Sequence, residues 1–214
     1  MMICDNFQFV YYSDLSDFTF GKWYERIQHF LIPLKWEYPF FDSWFEGLFL
    51  APFCLKKDRE ILLCLCNDEI AGLAILKRTA EEQKICTLRV ERKYQKMSIG
   101  KKLMERSFEW LENDKPLITV RGAKRHEFDR LFQYYDFRLE DKKWNYYRLF
   151  SAELAYNGEL PAKGIEKEPL EIADMRWIIE RFVENGTYDV ERLIPEYVKY
   201  WKRVREEQRV PLFG

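Results

Sequence analysis

The sequence predicts an α/β fold in which helices flank a mixed, mostly antiparallel sheet, with a helical extension at the C-terminal end. Three consecutive apolar segments joined by short polar turns are typical of an antiparallel meander, and they span residues 59–67, 70–77 and 83–90. After Ser98 the apolar spacing changes to three and four residues, which indicates an amphipathic helix. Strand and helix patterns continue as far as residue 156, and this order favours a layered α/β domain.

The segment before the meander is aromatic and contains two predicted helices. Residues 7–12 form an apolar run suited to a strand. Helical spacing then covers residues 18–31, and Pro33 and Pro39 are expected to break that helix. Residues 41–50 predict a second, short helix.

The part of the domain after the meander is predicted to alternate helices and strands. The predicted elements are a helix from Ser98 to near Asn113, a buried strand over 117–120, a helix over 128–135, a strand that begins at Asp136, a turn at Lys142 and Lys143, and a long final strand over 144–154.

Residues 1–156 are expected to form one domain, and the polar, Gly- and Pro-containing stretch 157–169 is expected to be a linker. Residues 170–214 predict two amphipathic helices that are separated near Asn185 and Gly186. Their two apolar stripes need covering. Either they pack on their own domain or they form the surface of a homodimer or of a complex with a partner.

Composition describes a globular chain and excludes some classes of partner. Hydrophobic residues make up 47% and charged residues 33% of the 214 residues, and a net charge of −1 favours neither nucleic acid nor an anionic membrane. The five cysteines are odd in number and irregularly spaced, and no signal peptide is recognisable, so reduced thiols in a cytoplasm are expected. Only two histidines are present, so no metal site is predicted, and no apolar run is long enough for a membrane helix.

The loop between the strand over 83–90 and the following helix has the chemistry of a phosphate site. Residues 89–106 contain seven cations against two anions. A helix that begins after a short polar loop points unpaired backbone N–H groups and the positive end of its dipole at whatever lies in front of it. The expected ligand is therefore a phosphate or a pyrophosphate.

The same residues resemble the motif of the GNAT N-acetyltransferase superfamily. In that motif, Val is followed after three residues by Tyr, and Arg or Gln comes directly after the Tyr. Two residues later comes Gly, then one residue, then Gly or Ala, and further on Leu. The matching residues are Val90, Tyr94, Gln95, Ser98, Gly100 and Leu103. Ser98 departs from the family, which usually has its first Gly there, and a left-handed backbone at this position would be strained. The order of elements over about residues 7–156 also resembles the GNAT fold.

The resemblance implies acetyl-CoA as co-substrate and identifies the residues that would contact it. The pantetheine arm would pair with the edge of the strand before the loop, where that strand splays from the next one. The implied contacts are Leu88, Arg89 and Val90 on this edge; Gln95, Lys96, Met97, Ser98, Ile99, Gly100 and Lys101 in the loop; and Arg125, at a position where the family often has an Asn.

The family's usual catalytic side chains do not carry over. Its Tyr, which protonates the leaving thiolate, corresponds to Phe132, so Tyr134 and Tyr135 are the nearest candidates for the acid. A Glu that some members use as the base is replaced by Lys84.

The acceptor would be a primary amine, either a small cationic amine or a peptide amine. Glu37, Asp42 and Glu46 lie among the aromatics of the segment that covers the acceptor site in GNAT proteins, so they are the candidate acceptor contacts. The alternative is that these aromatic side chains belong to the hydrophobic core.

Three functions remain open at this point. The first is a working acetyltransferase, and the second is a catalytically weak acyl-CoA-binding protein that acts through partner or dimer contacts. The third is a protein that binds a different phosphate ligand, such as a nucleic-acid-binding protein. The third is disfavoured because acids offset bases outside residues 89–106.

Overall fold

The computed structural model describes residues 6–15, 20–35, 37–38, 41–51, 54–144, 146–147 and 151–160. The two predicted C-terminal helices and most of the predicted linker lie outside these residues, so the division of the chain into domains stays a prediction.

A seven-stranded sheet organises the described residues and confirms the predicted fold class. Its strands are β1 (Gln8–Tyr11), β4 (Arg59–Cys66), β5 (Glu69–Arg78), β6 (Gln83–Val90), β7 (Leu117–Arg121), β8 (Leu139–Trp144) and β9 (Ala152–Tyr156), and a small separate hairpin consists of β2 (Phe49–Ala51) and β3 (Cys54–Leu55). The order across the sheet is β1-β4-β5-β6-β7-β9-β8. Neighbouring strands run antiparallel except β6 and β7, which are parallel.

Four helices cover the two faces of this sheet. They are α1 (Phe20–Lys35), α2 (Phe41–Glu46), α3 (Ile99–Leu111) and α4 (Arg125–Tyr134). One core lies between the sheet and α3 with α4, and it includes Leu103, Met104 and Phe132. The other core lies between the sheet and α1 with α2, and it includes Ile27, Leu31 and Phe45. Each fully buried side chain of this size contributes about 1.5–3 kcal/mol, so the two cores hold both helix layers against the sheet.

Two predictions about the first half of the domain are wrong. Pro33 lies inside α1, which continues to Lys35. A proline so near the C-terminal end of a helix removes only one backbone hydrogen bond, and so it does not end the helix there. The predicted short helix ends at Glu46, and Leu50 belongs instead to β2, which pairs with β3.

The end of the domain also differs from its prediction. Lys142 and Lys143 are not a turn but lie within β8, where they pair with Leu154 and Glu153 of β9. The predicted long strand is divided, because Trp144 ends β8 and β9 begins only at Ala152. An edge strand with one solvent-exposed face tolerates consecutive lysines, which is why composition alone suggested a turn here.

Among the cysteines that the structure describes, the expectation of reduced thiols is wrong for Cys66. Cys66 is disulfide-bonded, whereas Cys54, Cys64 and Cys86 are free. Cys64 and Cys66, two residues apart on β4, share the face that packs against α3. Burial raises the pKa of the Cys64 thiol to about 11, so this thiol is a core side chain of low reactivity.

Candidate active site

The sheet opens between β6 and β7. The two strands pair only through Lys84 with Leu117 and Ile85 with Ile118. Immediately beyond, Cys86 has no partner on β5 and forms a β-bulge, because Ile85 pairs with Leu76 while Thr87 already pairs with Ile75. A bulge bends its strand, so the opening begins where the bend does. Residues 86–90 of β6 therefore have an edge, on the β7 side, that no described strand covers.

A compact loop joins this open edge to α3. Residues 92–94 form a 3₁₀ turn, and the backbone of Lys96 (φ 66°) and Ser98 (φ 60°) is left-handed. Non-glycine residues pay a conformational cost in this region, so the loop holds its shape against strain at two positions. The strain expected at Ser98 is thus present in the structure.

The loop and the first turn of α3 present unpaired backbone donors. In the part of the chain that the structure describes, Lys96, Met97 and Ser98 donate no backbone hydrogen bond. The first helical bond of α3 runs from Lys102 N to Ser98 O at 3.1 Å, so the preceding N–H groups of the helix have no i−4 acceptor. Such a set of donors at a helix start can bind an anion.

Two glycines near the loop differ in the space that a side chain would find. A Cβ on Gly72 of β5 would lie 3.0 Å from Arg89 O and 3.2 Å from side-chain atoms of Ile99 and Leu103, so the close packing of α3 on the sheet favours glycine there. A Cβ on Gly100 would meet only Val90 Cγ2, at 3.9 Å. The fold itself therefore has room for a side chain at Gly100, and the open space above it is available to a ligand.

Several of the loop's positive charges have no counter-ion among the described residues. Lys93 pairs with Glu69 at 2.5 Å. By contrast Arg92, Lys96 and Lys102 form no ion pair with any residue in the described ranges. An open groove of about 890 Å³ adjoins the loop between α1 and the start of β5, and Arg26, His29 and Arg92 are among its lining residues. The loop therefore faces solvent with a net positive charge.

The residues that the resemblance placed on the open edge divide between the two faces of β6. Leu88 and Val90 pack into the core under α3, so only their backbone is available at the edge. Arg89 points to the opposite face, where its guanidinium lies 5.2 Å from the centre of the Phe30 ring and 3.7 Å from a Glu91 carboxylate oxygen. Its Nε is buried without a hydrogen-bond partner.

The two candidate tyrosines lie together at the C-terminal end of α4 and contact α3. Tyr134 is 63% exposed, and its hydroxyl accepts a hydrogen bond from Lys101 Nζ at 2.6 Å. The Tyr135 hydroxyl lies 3.3 Å from both Lys101 O and a Glu105 carboxylate oxygen. Burial, and then Glu105, raise the pKa of Tyr135. At the other end of α4, Arg125 pairs with Asp129 at 3.3 Å.

Two of the three candidate acceptor carboxylates are in separate ion pairs. Glu37 is largely buried and pairs with Lys124, in the turn between β7 and α4. Asp42 pairs with Lys35 at 2.5 Å, and both side chains are about half exposed. Glu46 is exposed at the end of α2. Of the three, Glu37 is the one that contacts an element next to the opening of the sheet.

Sequence reasoning missed a polar and aromatic cluster on the α1 and α2 face of β7 and β9. The rings of Tyr38 and Tyr147 are in edge contact at 5.6 Å. Glu153 of β9, 3% exposed, pairs in register with Arg121 of β7. Burial raises the pKa of both tyrosines, and the charge of Glu153 adds to this effect. The only signal in the sequence was a Glu at an inward position of the segment that became β9.

The comparison with protein families decides what kind of domain this is. Residues 22–126 match the model of the Acetyltransferase (GNAT) family. These residues form a domain of the GNAT acetyltransferase family. The match covers α1, the meander, the loop and the start of α4, and it confirms the predicted membership and enzyme class.

Solved structures share the GNAT fold at low sequence identity. The ribosomal-protein-S18-alanine N-acetyltransferase of Escherichia coli is 16% identical with a TM-score of 0.51, over 71% of this chain and 92% of that one. A GNAT family acetyltransferase of Elizabethkingia anophelis, solved with acetyl-CoA bound, is 16% identical over 71% of this chain and 97% of that one, with a TM-score of 0.48. A GNAT-family protein of Desulfovibrio desulfuricans is 15% identical over 46% and 67%, with a TM-score of 0.41. No curated protein sequence matches significantly.

Among the residues that the structure describes, no group of three or more His, Cys, Asp or Glu side chains is arranged to hold a metal ion. None of the described helices is long and apolar enough to span a membrane.

Proposed function

We propose that this protein transfers the acetyl group of acetyl-CoA to a primary amine, either a small cationic amine or a peptide amine. The observation that carries the proposal is the combination of two features at one place. The sheet opens beside residues 86–90 of β6, and the same strand leads directly into a loop with unpaired N–H groups. A ligand in which an extended arm is followed by a pyrophosphate fits that combination.

The cofactor contacts would come mainly from the backbone. The open edge at Leu88, Arg89 and Val90 offers strand-like hydrogen bonds to the amide groups of an extended arm. The loop from Gln95 to Lys101 offers N–H groups and the positive end of α3 to a pyrophosphate. The empty space at Gly100 supports this arrangement. Arg125 would add a cation at the start of α4.

Only a few interactions with the chain would promote acetyl transfer. Holding thioester and amine together can supply several powers of ten in rate. A backbone N–H at the β6 edge would stabilise negative charge on the thioester oxygen. Tyr134 is the better candidate to protonate the leaving thiolate, because its oxygen accepts from Lys101 and its own proton is not donated within the described residues. The Tyr135 proton has two acceptors on α3.

The acceptor would approach from the α1 and α2 face. Glu37, next to the opening, is the best placed of the predicted carboxylates to hold an ammonium group or take its proton. Asp42 and Glu46 would contribute only long-range negative charge. The aromatic pair Tyr38 and Tyr147 would form an apolar wall beside the amine.

Titration of acetyl-CoA into the purified protein tests the proposal. We expect micromolar binding to the wild type and a loss of at least about tenfold in Gly100→Trp, because the indole would occupy the space of the pyrophosphate. Lys57→Trp, in the exposed turn before β4, is the matched control and should bind normally. A folded wild type that does not bind acetyl-CoA would contradict the proposal.

The second candidate is a GNAT-like protein that binds acyl-CoA but catalyses weakly. Phe132, at the family's tyrosine position, is 3% exposed and stacks on Phe137, so no phenol is available there. Acetyl-CoA binding without turnover of any amine in a broad panel would favour this candidate.

A further inference from the structure

Lys84 is a largely buried lysine whose ammonium forms no ion pair with any described residue. Only 8% of the residue is exposed. Among the described residues that are buried and polar, Glu60 bonds Ser13 and Ser107 bonds Leu103 O, whereas the Lys84 ammonium has neither a hydrogen bond nor an ion pair. Buried lysines are rare unless they are paired, since removing the charge from water is costly.

Two described neighbours of Lys84 are another lysine and a carboxylate that is already paired. Lys77 lies directly opposite on β5, and like charges across a strand pair repel. The nearby Glu82 is already bound to Lys77 at 2.6 Å. Burial raises the pKa of Cys86 and Tyr146, and in both cases the positive charge of Lys84 acts in the opposite direction. The ammonium thus lies close to a thiol and a phenol.

Lys84 is also close to the expected reaction centre. It lies one residue before the end of the β6–β7 pairing, and its side chain is on the α1 and α2 face because Ile85 packs on the other face. A row of rings leads away from it, since Tyr146 contacts Tyr147 at 4.6 Å and Tyr147 contacts Tyr38 at 5.6 Å. Beyond these rings lie the carboxylates Glu37 and Glu153, whose charges act on Tyr38. Lys84 therefore acts on the ring at one end of the row and Glu37 on the ring at the other, while Glu153 acts on all three rings.

We propose that Lys84 binds a compact anionic group, a carboxylate or a phosphate, on the acceptor, so that the preferred acceptors are zwitterionic amines. The inference rests on the proposed function, because it assigns one more contact in the same site. The anionic group takes no part in bond making. The amine nitrogen still attacks the thioester carbon, the C–S bond breaks, the amine loses a proton and the thiolate gains one. The contact with Lys84 sets the distance between the amine nitrogen of the acceptor and the thioester.

Matched pairs of acceptors test this proposal. Each pair differs only in the anionic group: L-lysine and cadaverine, L-tyrosine and tyramine, O-phosphoethanolamine and ethanolamine. Thiol release from acetyl-CoA gives kcat and KM, and titration of each compound into the CoA-bound protein gives a Kd without requiring turnover. We expect at least one anionic member to be preferred about tenfold or more over its partner, the usual effect of a hydrogen bond to a charged group.

Variants of Lys84 separate its role from a structural one. Lys84→Met should abolish the preference by raising KM or Kd for the anionic member alone, and Lys84→Arg should restore part of it. The fold should tolerate Met, because the substitution removes a buried cation opposite Lys77. Lys142→Met, on the exposed edge strand, is the control. Unchanged acetyl-CoA affinity in each variant shows that the cofactor site is intact.

The outcomes distinguish this proposal from the proposed function. A protein that binds acetyl-CoA but prefers no anionic member by either measurement overturns the proposal and leaves the proposed function standing, and so does a preference that survives in Lys84→Met. In that case Lys84 only covers apolar surface with its stem. A preference limited to the carboxylate or to the phosphate pairs identifies which anion is bound. Failure to bind acetyl-CoA at all overturns the proposed function itself.

Discussion

Lys101 Nζ lies 2.6 Å from the Tyr134 hydroxyl oxygen, and this hydrogen bond joins the first turn of α3 to the last residue of α4. The lysine donates, so the phenol keeps its own proton for another acceptor. The neighbouring Tyr135 has its proton acceptors on α3 instead. The two adjacent tyrosines are therefore not equivalent as acids.

We expect Tyr134→Phe to lower kcat about a hundredfold and to leave the Kd of acetyl-CoA unchanged, because only the proton donor is removed. Tyr135→Phe is the matched variant and should lower kcat much less. Steady-state kinetics with any acceptor found to react provide the measurement. Unchanged turnover in both variants would remove the two tyrosines from the mechanism.

The left-handed backbone of Ser98 predicts that glycine is the better residue for stability. We expect Ser98→Gly to raise the free energy of unfolding by about 0.5–1 kcal/mol, since relief of strain exceeds the added entropy of the unfolded chain. Lys96→Gly should act in the same sense. Met97→Gly, in the same loop but without a positive φ, should lower stability. Denaturant unfolding measures all three, and a loss in Ser98→Gly equal to that in Met97→Gly would show that the strain is absent.

The two glycines near α3 should respond differently to alanine. Gly72→Ala brings a Cβ to 3.0 Å from Arg89 O, so we expect a loss of about 1–3 kcal/mol. Thermal unfolding should show this as a decrease in Tm of about 3–10 °C. Gly100→Ala, which meets only Val90 Cγ2, should keep the Tm of the wild type. Equal effects of the two substitutions would contradict the packing described for Gly72.

Burial of Glu60 predicts a pH dependence of stability. Burial raises the pKa of this carboxyl above its ordinary value of 4.5, although hydrogen bonds from Ser13 and Ile61 N oppose the shift. A raised folded-state pKa means that the contribution of Glu60 to stability is present below about 4.5 and is lost as the pH rises through the folded-state pKa. Glu60→Gln should therefore gain stability relative to the wild type between pH 4.5 and 7. Glu140→Gln, an exposed control, should follow the wild type throughout.

Strong local patterns explain what could be predicted from the sequence. β6 has the predicted bounds, because its apolar residues and the polar turn before it are both local signals. α3 begins one residue after Ser98, where the periodicity changes. The hairpin of β2 and β3 could not be predicted, since strands of three and two residues contain too few positions for a pattern.

The cluster around Glu153 was missed for a different reason. Tyr38 follows α1, Tyr147 lies between β8 and β9, and Arg121 ends β7, so only the tertiary fold brings these residues together. Sequence spacing says nothing about such a site. The contacts assigned to acetyl-CoA, the acceptor carboxylates, a homodimer and a cytoplasmic location all remain predictions.

The bulge at Cys86 has a consequence for how relatives of this chain are aligned. Lys84 and Arg89 are an odd number of residues apart, yet both side chains lie on the α1 and α2 face, which a regular strand would not allow. An ungapped alignment with a GNAT strand that lacks the extra residue would match either the loop or Lys84 correctly, but not both. A one-residue gap at Cys86 must be tested before any residue of a relative is taken as the counterpart of Lys84.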